Sequence, residues 1–221
     1  MTEFFNLSRV LRSKKEARSV YDRLGRVYST IAATERPIRT KAIAMLAVVP
    51  GERVLEIGFG PGDALKALAR DGVRVTGIDL SFVMAQVAAA KLRRVTHEGQ
   101  IGLNLGDATW LPYPTCCFDA IFMSFTLELF DTPEIPLVLA ECRRVLRSRG
   151  RLCTAAMSLP LHPGLMVRVY DWLHRAFPVW ADCRPIPLQA FMEHAGFGLE
   201  EVWSGSLWGL PVAACVGRKP G

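Results

Sequence analysis

The chain has 221 residues, 27 Lys and Arg against 21 Asp and Glu, and half of its residues are hydrophobic, with a mean hydropathy of +0.20. That length suits one domain with a large core, and the absence of any run of 18 apolar residues excludes an ordinary membrane-spanning helix from the sequence reading. Six cysteines without a C-x-x-C pair and only four histidines argue against a zinc site and for free thiols in a reducing cytoplasm.

The charge is concentrated at the start of the chain. Residues 1–41 carry ten Lys and Arg and four acids, a net +6, while the other 17 basic and 17 acidic residues cancel. Phe4, Leu7 and Leu11 share a helical face opposite Arg9 and Arg12, and Val20, Leu24, Val27 and Ile31 make a second stripe. A basic amphipathic helix can lie on an anionic membrane surface or dock on a core with its charges in solvent. Nucleic acid is not expected as a partner, because the rest of the chain is charge-balanced. We divide the chain into a basic arm, 1–41, and a charge-balanced domain, 42–221. No secretory signal is visible in the first residues, so the chain is expected in the cytoplasm, with the arm reaching the inner face of the membrane. The sequence leaves the oligomeric state open.

A short apolar strand, Val54-Leu55-Glu56-Ile57, ends in an acid and runs into Gly58, Gly60 and Gly62, after which Ala64, Leu65, Leu68 and Ala69 mark a helix. Glycines between a strand and a helix let the backbone approach a ligand closely and aim the helix N-terminus at it. The dinucleotide pattern G-x-G-x-x-G would need a small residue at Asp63. An acid at Glu56 suits an ammonium or sulfonium better than a pyrophosphate. A second strand, Val73 to Ile78, ends at Asp79, 23 residues after Glu56, where a carboxylate can accept two ribose hydroxyls. A third, Ile101–Leu105, runs into Gly106-Asp107-Ala108, and a fourth spans Phe118 to Phe125. Beyond a helix ending in Arg143-Arg144-Val145-Leu146-Arg147, a turn at Ser148-Arg149-Gly150 leads to a fifth strand, Arg151 to Ala156. Taken alone, Asp79 also reads as a helix N-cap and Asp107 as a turn residue.

The E-x-G-x-G-x-G run with the acids at the ends of the next two strands resembles the class I S-adenosylmethionine (SAM)-dependent methyltransferases. The resemblance covers residues 45–156. It implies a Rossmann-like α/β fold, a doubly wound seven-stranded sheet with the last strand antiparallel, and SAM held by Glu56, Gly58, Gly60, Gly62, Asp79, Leu80, Asp107, Ala108 and Ser124. Leu80 would pack on the adenine, Asp107 would receive its amino group, and the backbone at Ser124 would touch the methionine part. Tyr21-Asp22-Arg23-Leu24-Gly25-Arg26-Val27-Tyr28-Ser29 resembles the segment that closes over SAM in ubiquinone/menaquinone C-methyltransferases and bacterial phospholipid N-methyltransferases. Tyr21 and Tyr28 are carried over from that likeness, with Gly25 and Ser29 as departures from the usual alanine and aspartate.

After the fifth strand, Leu165, Val169 and Leu173 with Met166, Tyr170 and Phe177 form an apolar helical face, and Trp172 and Trp180 add aromatic surface suited to an apolar substrate. A helix at Leu188 to Ala195, a sixth strand near Leu199–Trp203 and a seventh near Val212–Val216 complete the pattern. Methyl transfer needs alignment and desolvation more than acid–base chemistry. Where a base helps, His162 is the candidate on the substrate-side loop, with His174, Asp171 and Glu128 as other options; Tyr28 is counted with His162 as catalytic, its aromatic face suited to stabilising a sulfonium. His97 and His194 read as structural. The expected function is methyl transfer from SAM to a phospholipid amine headgroup or a quinone precursor. The alternative is a methyltransferase-like adaptor without turnover. No metal is expected.

Overall fold

A computed structural model describes residues 32–70, 72–93, 101–159 and 184–221. Within them, helix α1 (Arg36–Leu46) leads to β1 (Arg53–Ile57), α2 (Asp63–Arg70), β2 (Arg74–Asp79), α3 (Phe82–Leu92), β3 (Ile101–Leu105) and β4 (Phe118–Ser124). A 3₁₀ turn (Leu127–Leu129), α4 (Ile135–Val145), β5 (Leu146–Met157), α5 (Leu188–His194), β6 (Gly198–Leu207) and β7 (Leu210–Arg218) follow. Tyr21, Tyr28, His97, His162, Asp171, His174, most of the basic arm and the apolar face of residues 165–177 lie outside the described residues.

The described strands form one seven-stranded sheet in the order β3-β2-β1-β4-β5-β7-β6. β1 pairs in parallel with β2 and β4, and β7 runs antiparallel between β5 and β6. This is the sheet that the resemblance implies. β1 and β4 are buried along nearly their whole length, as expected of central parallel strands covered on both faces.

Two apolar layers cover the sheet. On one side α1, α2 and α3 contribute Ile38, Met45, Leu65, Leu68 and Ala88. On the other, α4 and α5 contribute Ile135, Val138, Leu139, Phe191 and Met192. Helix α1 buries Ile38, Ala42, Met45 and Leu46, a helical stripe against β5. Its last turn is fixed by Arg151, whose Nε donates to Leu46 O at 3.0 Å while its guanidinium pairs with Glu52. α1 therefore crosses the 41/42 division and belongs with the core.

Three details differ from the sequence reading. The fifth strand begins at Leu146 rather than Arg151, so Ser148-Arg149-Gly150 lies within β5. Arg149, not the glycine, takes the positive φ of 60°. Gly150 is needed for space, since a Cβ there would lie 2.9 Å from Arg147 O. The last two strands are longer than expected and are joined by Trp208-Gly209, with φ of 52° and 77°. Two positive values in a two-residue loop match the twist of a hairpin, and that tight turn carries the pairing through to Leu207 and Leu210.

Candidate active site

The carboxyl ends of β1, β2, β3 and β4 meet at one edge of the sheet. Open α/β sheets bind ligands at this edge, where the strand order reverses. The reversal lies between β1 and β4, on either side of which the connections turn outward.

Gly58, Gly60 and Gly62 all adopt positive φ (70°, 49° and 81°). They bend the chain from β1 into α2 without side chains in the way. The bend is tied to β2 twice. Gly58 N donates to Ile78 O at 2.8 Å, and Gly60 N donates to Asp79 Oδ2 at 2.9 Å. Asp79 Oδ1 accepts from Ser81 N at 2.8 Å. The N-cap of α3 is Ser81, whose hydroxyl accepts from Met84 N, so Asp79 is not the cap. The three glycines have different duties. A Cβ on Gly58 would strike Thr126, and one on Gly62 would lie 3.0 Å from Ala88 Cβ of α3.

Leu80, beside Asp79, keeps 37% of its surface exposed and offers an apolar face. Asp107 Oδ1 accepts from Thr109 N at 2.9 Å and from its hydroxyl at 2.8 Å, which holds the loop after β3 in a tight turn. The reading of Asp107 as a turn residue is thus met. Ala108 is buried in the core. Ser124 ends β4, and its hydroxyl is buried without a hydrogen-bond partner among the described residues. Exposed Phe82, Leu105 and Trp110 add apolar surface in the segments that follow β2 and end β3.

Glu56 is the electrostatic centre. It is 4% exposed, and its Oε2 has no hydrogen-bond partner among the described residues. Burial pushes its carboxyl well above the usual range. Arg39 of α1 opposes that shift, and Asp79 and Asp63 add to it. The protein by itself therefore favours the neutral acid at Glu56, and a cation placed beside it would favour the carboxylate. A folded-state value above the unfolded one means that the bare protein loses stability as pH rises from the unfolded value through the folded one. A bound cation favours the carboxylate and reverses that trend. We expect the rise in melting temperature on adding SAM to grow with pH across this window, and to be flat in Glu56→Gln. Thermal scans with and without SAM from acidic to neutral pH measure it.

The buried carboxyl of Glu56, the strand-end carboxylate of Asp79, the exposed face of Leu80 and the acid Asp107 make a set of groups of the kind that SAM would require. They do not fit a dinucleotide, because Asp63 stands at the third glycine position and is paired with Lys91.

A family model described as a methyltransferase domain matches residues 54–150. That match runs from β1 into β5 and takes in the glycine loop, Asp79 and Asp107. The chain is 38% identical over 140 residues to demethylmenaquinone methyltransferase of Tropheryma whipplei (strain Twist), covering 63% of this chain and 55% of that protein. It is 34% identical over 153 residues to the protein of that name from Thermobifida fusca (69% and 62%). Against 2-phytyl-1,4-naphtoquinone methyltransferase of Synechococcus elongatus it is 30% identical over 152 residues (65% and 64%). The chain spans less than two thirds of the length of these curated relatives. Among solved structures, a putative methyltransferase from Bacillus halodurans superposes with a TM-score of 0.71 at 19% identity, covering 83% of this chain and 99% of that one. The [4+2]-cyclase SpnF superposes at 0.69 with 20% identity, covering 83% and 81%. The fold thus also appears in a protein named for a different reaction, and fold by itself does not fix chemistry. SAM is the methyl donor that the family implies.

Two buried residues of the chain escaped or only brushed the sequence reading. Arg184, 1% exposed, donates from Nη2 to Phe130 O at 2.9 Å and from Nη1 to Thr132 Oγ1 at 3.0 Å. Glu128, also fully buried, accepts from Met157 N at 3.1 Å. Together they tie the segment after β4 to the end of β5, where Ile186 N also donates to Met157 O. A buried arginine in a proline-flanked loop leaves no periodic signal in the sequence.

Proposed function

We propose that this enzyme transfers a methyl group from SAM to a ring carbon of a quinone precursor. The observation that carries the reading is the convergence of Glu56, the glycine loop, Asp79 and Asp107 on one edge of the sheet. The names of the curated relatives supply the acceptor class. In this reading Asp79 receives the ribose hydroxyls, Leu80 lies on the adenine, Asp107 accepts its amino group, and Glu56 favours the cationic end. SAM supplies an electrophilic methyl whose bond to sulfur breaks as the new carbon–carbon bond forms. The chain's task is to hold the acceptor carbon in line and exclude water.

An ionised ring hydroxyl makes the acceptor carbon nucleophilic, and the ring proton leaves after transfer. His162 is the proposed proton acceptor, with Glu128 as the carboxylate four residues beyond Ser124, and Tyr28 is proposed to face the sulfonium. Tyr21 is proposed to close over the cofactor with Tyr28. The exposed apolar groups Leu80, Phe82, Leu105 and Trp110 support an apolar acceptor. The basic arm supports recruitment to an anionic membrane, each basic residue near the surface contributing about 1 kcal/mol.

The test is methyl-labelled SAM with the full chain and two acceptors, a reduced demethylated naphthoquinone and phosphatidylethanolamine, each in anionic and in neutral vesicles. We expect label in the quinone, faster from anionic vesicles. Label only in the phospholipid would replace the acceptor, and SAM binding without any transfer would favour the adaptor reading.

A further inference from the structure

One hydroxyl spans the two carbonyls at the reversal point of the sheet. Thr126 Oγ1 lies 3.1 Å from Ser124 O at the end of β4 and 3.5 Å from Gly58 O at the end of β1. Its proton serves one carbonyl at a time, and the shorter contact is the donated bond. Thr126 is 7% exposed. Its methyl and hydroxyl occupy the space that a side chain on Gly58 would take, with Cγ2 2.3 Å and Oγ1 2.5 Å from the position of a Cβ there. The chain is brought back over the glycine loop by Phe125, whose φ is 51° and whose N donates to Ala155 O at 2.8 Å. Thr126 is therefore held from β5, packed on Gly58 and bonded to Ser124.

Two backbone carbonyls brought close to one hydroxyl, one of them two residues beyond the buried Glu56 on β1, form an acceptor set for a group with several N–H donors and a positive charge. Charge-assisted bonds of this kind are the strong ones, and their strength depends on carbonyl direction. We propose that Thr126 is a positioning residue for the amino-acid end of SAM: its hydroxyl sets the spacing and direction of the Gly58 and Ser124 carbonyls that receive the ligand's ammonium. The proposal rests on the cofactor reading above. It makes Thr126 specific for one end of the ligand, since the adenosine end is served by Asp79, Leu80 and Asp107.

Two ligands separate the ends. S-adenosylhomocysteine carries the ammonium; 5′-methylthioadenosine keeps the adenosine and sulfur but lacks the amino-acid chain. Two variants separate hydroxyl from packing. Thr126→Val keeps the branched shape and loses the hydroxyl, and Thr126→Ser keeps the hydroxyl and loses the methyl. Calorimetry on the full chain should show Thr126→Val losing about tenfold in affinity for S-adenosylhomocysteine, the scale of one hydrogen bond to a charged group. Its affinity for methylthioadenosine should be unchanged, which also certifies the fold. Thr126→Ser should bind both as the wild type does. Equal losses for both ligands in Thr126→Val, or a larger loss in Thr126→Ser than in Thr126→Val, would overturn the proposal while leaving the cofactor site intact. A wild type that binds neither ligand would remove the cofactor reading and the proposal with it.

Discussion

Asp79→Ala should weaken SAM binding by about 1.5–3 kcal/mol, the scale of hydrogen bonds to a charged group, which is roughly 10- to 150-fold. Two losses combine. The ribose loses its acceptor, and the glycine loop loses the carboxylate that holds Gly60 N and Ser81 N. Asp79→Asn should be nearly as damaging. Both oxygens accept from backbone N–H groups, so an amide would turn its NH₂ against one of those donors. Titration calorimetry on both variants measures the effect. An asparagine variant with wild-type affinity would mean that the carboxylate is not used in the way described.

Gly58→Ala should be the most damaging single methyl in the site. Its φ of 70° is strained for any L side chain, and the new Cβ would overlap both branches of Thr126. Strain and overlap together should cost about 2–4 kcal/mol and lower the melting temperature by roughly 5–12 °C for a chain of this size. Adding Thr126→Ala should recover the overlap and leave the strain, so the two changes should couple. Gly62→Ala faces only a 3.0 Å contact with Ala88 Cβ and should cost less. Thermal melts of the two single alanine variants and the Gly58→Ala, Thr126→Ala double variant give all three terms. Equal costs at Gly58 and Gly62 would show that Thr126 does not matter to the loop.

The parts of this site that could be read from the sequence are local. Glu56 lies one residue before the end of β1, Asp79 ends β2 and Asp107 follows β3 by two residues, with the glycines just after the first of them, so strand pattern and chemistry coincide within a few residues. The relations between these groups could not be read. Thr126 meets Gly58 across 68 residues of chain, and Asp79 holds Gly60 across 19. Neither contact has a sequence period. Strand ends were lost where local preference and tertiary pairing conflict. Ser204-Gly205-Ser206 are poor strand formers, yet the tight turn at Trp208-Gly209 keeps them paired with β7. Ser148-Arg149-Gly150 reads as a turn, yet the chain passes through it inside β5. Ser81 took the cap that Asp79 was a candidate for, because both Asp79 oxygens are engaged with the backbone of the loop and of the turn.

The most direct measurement is a pair of calorimetric titrations of the full chain, one with SAM and one with NADH. We expect saturable binding of one SAM per chain, lost or strongly weakened in Asp79→Ala, and no binding of NADH. Tight binding of NADH, or no heat with SAM under conditions where the chain is folded, would contradict the site built from Glu56, the glycine loop, Asp79 and Asp107.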